Sequence, residues 1–220
     1  MKRKTFLKLL GAGTIGGFVK LLLPWYQEGT EDGYFTSLKR AYVYVSEQTG
    51  IHNQDVILVD GQTQKLFLLG VDNNEVTIVR EYTISTSRNG FGSTPNSYKT
   101  PTGVHVIDRK IGDGQPLGAV FIGRVPTGEI ATIIPTERHN EEGLITTRIL
   151  WLDGKEEHNR TSKRRFIYIH GTQLEGNIGR PISTGCVNMK NKDIIELFAL
   201  VQQGTRVAIY PSISELFPSE

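Results

Sequence analysis

The sequence predicts a mainly β fold of the α+β class, a sandwich or barrel rather than a doubly wound sheet. Short runs rich in β-branched residues recur between residues 55 and 210, turn residues separate them, and one strongly helical segment interrupts them near the end. At 220 residues, 38% hydrophobic with 24 glycines, the chain has room for one good-sized domain with flanking segments. The same composition excludes a wholly disordered, collagen-like or disulfide-stapled protein.

The elements follow in chain order. Residues 1–25 place Lys2, Arg3 and Lys4 before the apolar stretch Leu9–Val19, with Lys8 and Lys20 as brackets. A charged start followed by an apolar run too short to span a bilayer comfortably predicts an export signal or membrane anchor, with an amphipathic surface helix as the alternative. The stretch Arg3–Lys8 resembles a twin-arginine signal with lysine at the second arginine position. Gly11, Gly13 and Gly16 match the Gly-x-Gly-x-x-Gly pattern, but no strand precedes them and no βαβ rhythm follows, so a dinucleotide site is rejected.

Residues 26–54 read as a linker with one helix, since Leu38, Ala41, Tyr42 and Val45 fall at helical spacing. Residues 55–212 form the predicted domain. Its strands are expected at Val56–Val59, Lys65–Leu69, Val76–Ile84, Gly103–Ile107, Ala119–Ile122, Thr147–Leu152, Phe166–Ile169 and Arg206–Tyr210. Asn191–Asp193 start the late helix, Ile194, Leu197, Phe198, Leu200 and Val201 form its apolar face, and Gly204 stops it. Arg88–Lys99 and Thr136–Thr146 are long enough for working loops or a lid, and 213–220 reads as a tail.

Charge and cysteine count narrow the chemistry. A net charge of +2, from 25 basic and 23 acidic residues, gives no reason to expect a nucleic-acid partner. The single cysteine, Cys186, excludes an internal disulfide, a Cys-x-x-Cys pair and an iron–sulfur cluster. It is therefore either an inert packing residue or a reagent. His52, His139 and His158 sit in polar contexts and His105 in a strand, and none has metal-ligand spacing. His170 ends an apolar strand and is followed by Gly171, while Cys186 sits in a glycine-bearing turn ahead of a helix. A thiol so placed can be activated by an imidazole, by turn amides or by a helix N-terminus.

The ordered set His170-Gly171, Ser183-Thr184-Gly185-Cys186-Val187-Asn188, Thr100-Pro101-Thr102-Gly103 and Gly179-Arg180-Pro181 resembles the L,D-transpeptidase family of bacterial cell-wall enzymes. The resemblance runs from Asp55 to Tyr210. It implies an L,D-transpeptidase-like β-sandwich of mixed sheets with a helix after the catalytic cysteine. It also implies Cys186 as nucleophile and His170 as its base, with the Gly171 carbonyl orienting the imidazole and the Gly185 and Cys186 amides as oxyanion donors. Ser183, Thr184, Asn188 and Arg180 would shape the substrate site. One departure is Thr184, where the family often has histidine.

The activity so implied is acyl transfer on peptidoglycan stem peptides, releasing terminal D-alanine, without metal or organic cofactor. A carboxypeptidase using the same pair and a non-catalytic wall-binding module are the rivals. Stem peptides lie outside the cytoplasmic membrane, so the expected location is the periplasm or envelope of a bacterium. Acceptor and oligomeric state are not legible in the sequence.

Overall fold

The β-rich half of the chain folds so that most strands bury both faces. The computed structural model describes residues 30–138 and 143–218. The expected export segment, its glycine pattern and His139 lie outside these residues.

The strands are β1 (Val56–Asp60), β2 (Lys65–Asp72), β3 (Glu75–Ser85), β4 (Gly103–Ile111), β5 (Ala119–Ile122), β6 (Val125–Ile130), β7 (Ile145–Gly154), β8 (Tyr168–Gly171), β9 (Val187–Met189) and β10 (Arg206–Tyr210). Three helices, α1 (Thr30–Thr49), α2 (Asn191–Leu200) and α3 (Ile213–Leu216), accompany them. The hydrogen-bonded order is β4-β10-β1-β2-β3-β9-β8-β7-β5-β6, and β4 also pairs with β7. Eight strands therefore close into a ring, and β5–β6 extends from β7 as a hairpin. Pairs β1–β10 and β8–β9 are parallel and the others antiparallel, so the expected sandwich of mixed sheets has layers joined through β4.

The two-residue period of a strand divides its side chains between two cores. Ile57 and Val59 of β1, Leu66 and Leu68 of β2, and Val207 and Ile209 of β10 point into the central core, where Ile194, Leu197 and Phe198 of α2 join them. Their neighbours Val56, Leu58, Phe67, Leu69, Ala208 and Tyr210 point outward and meet Leu38, Ala41, Tyr42 and Val45 of α1. This double burial explains why these runs are almost continuously apolar. The Tyr34 hydroxyl donates to Asp60 Oδ2 at 2.5 Å and that of Tyr42 to the Gln54 carbonyl at 2.9 Å, which fixes the helix to the sheet.

The helix expected within residues 26–54 is α1, docked on the domain. Three elements differ from the sequence reading. The residues read as a tail include α3, whose Ile213 is buried and whose Ser212 caps it by accepting the Glu215 amide at 3.2 Å. Strand β6 carries Pro126 and Gly128 and is exposed at all six positions, so no apolar period marks it. Strand β9 has three residues, too few for any period to register. No helix of the described residues is long and apolar enough to cross a membrane.

Candidate active site

The parallel pairing of β8 with β9 brings the two chemical segments together. In register, His170 lies beside Asn188, two residues beyond Cys186. The turn before β9 is held by the end of β3: the Ile182 and Ser183 amides both donate to the Thr86 carbonyl at 2.9 Å, and the Arg88 amide donates to Ser183 O at 3.1 Å. Inside the turn, Ser183 Oγ donates to the Cys186 carbonyl at 2.6 Å and accepts the Gly185 amide at 3.2 Å. Gly185 has φ +128°, a conformation that side chains disfavour, so glycine is required there.

His170 is buried with its Nδ1–H donating to the Gly171 carbonyl at 2.8 Å, which leaves Nε2 as the nitrogen free to exchange a proton. Gly171 itself admits no side chain, because a Cβ would lie 2.7 Å from Asn191 Oδ1 and 2.8 Å from the Thr146 carbonyl. Tyr168 stands edge-on to the imidazole, ring centroids 6.4 Å apart, and its hydroxyl receives Arg124 Nη1 at 3.1 Å. The Arg124 guanidinium lies over Trp151 at 4.4 Å and Phe166 at 5.0 Å, tying the β5–β6 turn to the wall behind the cysteine.

Cys186 is half-buried, and its thiol donates to the Phe166 carbonyl at 3.5 Å. A sulfur that donates to a carbonyl keeps its proton. Burial pushes the thiol up to about 11, against the opposing pull of the Tyr168 backbone and the Arg165 charge. Burial also lowers His170 to about 4, with the Gly171 hydrogen bond opposing. The resting pair is thus neutral thiol and neutral imidazole.

Both residues line a cleft of about 510 Å³, together with Ser183, Thr184 and Asn188. One buried oxygen of Asn188 has no hydrogen-bond partner among the described residues. Three sequence expectations are corrected here. The Gly185 amide is committed to Ser183 Oγ and is not open to an oxyanion, whereas the Cys186 amide makes no bond within the turn. Arg180 is not in the cleft lining; its guanidinium is engaged by the Glu137 carboxylate on the surface. The helix N-terminus is also displaced from the sulfur, because β9 intervenes and the Asn191 amide donates to Glu175 Oε1 at 2.8 Å.

Comparison with known proteins gives the family. The model of the YkuD family, the L,D-transpeptidase catalytic domain, matches residues 54–209. The chain belongs to the YkuD family. The L,D-transpeptidase YkuD of Bacillus subtilis is 37% identical over 89 residues, spanning 40% of this chain and 47% of that protein. The L,D-transpeptidase YqjB of the same organism is 42% identical over 45 residues, 20% of this chain and 26% of that one. The chain matches less than half the length of each of these relatives. Among solved structures, an L,D-transpeptidase from Mycobacterium smegmatis has a TM-score of 0.43 at 14% identity, covering 71% of this chain and 58% of the other.

Sequence reasoning missed several lining residues of this YkuD domain, among them Arg88, Tyr98, Arg138, Leu174 and Asn177. The available signal was loop length: Arg88 and Tyr98 lie in one of the two segments singled out as working loops, and Arg138 lies in the other. Among the described residues, no group of three or more His, Cys, Asp and Glu is arranged to hold a metal ion.

Proposed function

We propose that the chain is a cysteine L,D-transpeptidase acting on peptidoglycan stem peptides outside the cytoplasmic membrane of a bacterium, in cell-wall biogenesis or remodelling. The observation that carries this reading is the locked tautomer. With Nδ1–H held by the Gly171 carbonyl, only Nε2 is free to serve a thiol that lines the same cleft.

In the first step the Cys186 thiol passes its proton to His170 Nε2 while sulfur attacks the carbonyl carbon of the third-position diamino acid. The amide of Cys186, which lacks a partner in the turn, is placed to receive the developing oxyanion. Collapse breaks the bond to terminal D-alanine, whose amine leaves with the proton from His170, and a thioester remains. In the second step an amine of a neighbouring stem attacks the thioester and gives a proton to His170. The new amide forms, the carbon–sulfur bond breaks, and the proton returns to sulfur.

Cys186→Ala removes the sulfur from a half-buried site without opening the core. D-alanine release from a tetrapeptide stem should fall by at least about a thousandfold while thermal unfolding stays unchanged; release at the wild-type rate would refute the mechanism. Product analysis with an added acceptor amine separates cross-linking from hydrolysis, and binding without turnover by the wild type would favour a wall-binding module.

A further inference from the structure

Among the described residues, the cleft carries charge of one sign: Arg88 and Arg138 line it, and no described aspartate or glutamate does. Both side chains are exposed, and neither guanidinium has a hydrogen-bond or ion-pair partner among the described residues. Two described acids nearby are committed elsewhere: Glu137 to Arg180, and Glu175 Oε1 to the Asn191 amide and side chain at 2.8 and 2.7 Å. A chain with 25 basic and 23 acidic residues has no general excess of cations to explain this. The concentration is local.

The roots of these two arginines are fixed while their heads are free. The Arg88 amide is bonded to Ser183, three residues before the nucleophile. The Arg138 backbone is clasped by Asn177, which accepts its N–H at 2.9 Å and donates to its carbonyl at 2.8 Å. Guanidinium forks match carboxylates in paired hydrogen bonds, and solvent-facing heads keep their water until a ligand arrives. A stem tetrapeptide presents carboxylates on both sides of the scissile bond, one on the terminal D-alanine and one on the second-position glutamate.

We propose that Arg88 binds the carboxylate of the departing D-alanine and Arg138 that of the second-position glutamate, so that the cleft selects donors whose carboxylates are free. The inference rests on the reading of the cleft as a stem-peptide site. Arg88 takes the terminal group because its backbone is tied to the turn that presents the sulfur. Arg138, held by Asn177 and not by that turn, is left for the second-position glutamate.

Three tetrapeptide donors test this: the free acid, its C-terminal amide, and the acid amidated at the glutamate. Wild-type enzyme should release D-alanine or D-alaninamide from each amide with kcat/KM at least tenfold lower, mostly through KM. Arg88→Gln should lose at least tenfold on the free acid and no longer distinguish the C-terminal amide, yet still reject the glutamate amide. Arg138→Gln should show the reverse pattern. Equal turnover of all three donors by the wild type, or glutamine variants that keep the wild-type preferences, would overturn the proposal alone. Release from no donor, with no acyl adduct on Cys186 by intact mass, would overturn the transpeptidase reading and this inference with it.

Discussion

The α1-covered face of the sheet and the end of β8 and β9 are both buried, but by different means. On the first, Leu38, Ala41 and Val45 meet Leu58, Phe67 and Leu69, and burial is mainly apolar, with a few hydroxyl contacts such as Tyr34 to Asp60. On the second, His170, Thr172, Ser183, Asn188 and Asn191 are all buried polar residues. Apolar contact is divisible, so a lost methyl costs its own share. A buried polar network is not, because each member that loses a partner is left unsatisfied in a place water does not reach. The difference teaches where stability and activity should separate under mutation and where they should fall together.

Asn191 offers the sharpest way to break that contrast. Its Oδ1 accepts the hydroxyls of Thr146 and Thr147, and its Nδ2 donates to the Thr172 carbonyl at 2.8 Å and to Glu175 Oε1 at 2.7 Å. Thr172 directly follows the glycine whose carbonyl orients His170. Asn191→Leu keeps the branched shape and heavy-atom count but strands the Thr146 hydroxyl and the Thr172 carbonyl and leaves the Thr147 hydroxyl only the Gly118 amide at 2.8 Å, at roughly 1–3 kcal/mol for each group left unpaired. Urea denaturation should show a loss of about 4 kcal/mol, and D-alanine release per folded molecule should drop at least tenfold. A variant as stable and active as the wild type would mean that this network is incidental.

The apolar face should respond differently. Leu38 is fully buried against the outer face of the sheet, and Leu38→Ala should cost about 3 kcal/mol through lost burial and the cavity left behind. The site lies beyond the sheet from α1, so kcat/KM per folded molecule should stay within about twofold. A comparable loss of activity would show that α1 reaches the site, and the contrast between the two regions would fail.

The same contrast decides what could be read from the sequence. The α1 stripe at Leu38, Ala41, Tyr42 and Val45 and the alternation in β1, β2 and β10 are periodic signals, and periodicity survives in one dimension. Cys186 and His170 were legible because residue type and glycine neighbours restrict their chemistry. The commitment of the Gly185 amide to Ser183, the pairing of Arg180 with Glu137 and the roots of Arg88 and Arg138 were not. The first is a local turn geometry that residue types do not specify; the others depend on a partner 39 to 95 residues away that the fold brings close, as when Thr86 O receives the amides of Ile182 and Ser183. Strand β6 escaped for the opposite reason: exposed on both sides, it has no pattern to show.

Acid should probe the joint between the two regions, where His105 of β4 pairs with β10 on one side and β7 on the other. His105 is fully buried, with Nδ1–H donating to the Gly103 carbonyl at 3.0 Å and Nε2 accepting from Ser162 Oγ at 2.9 Å. Burial lowers it to about 4, helped by the charges of His158 and Arg165 and opposed by the Gly103 bond and Asp153. His170 is lowered to about 4 as well. An unfolded histidine titrates near 6.5, so between those values the unfolded chain binds more protons and stability rises with pH. The contribution of each is complete above about pH 6.5, declines as pH falls and is gone below about 4. Asp193, raised by burial, runs the other way and offsets part of the loss. His105→Gln can still meet Ser162 but cannot be protonated. On going from pH 7 to pH 4.5, the wild type should lose about 2 kcal/mol more unfolding free energy than this variant, at roughly 1.4 kcal/mol per pH step over most of the window. Parallel curves would mean that His105 is reached by water and titrates like an exposed imidazole, and that the joint is looser than its hydrogen bonds indicate.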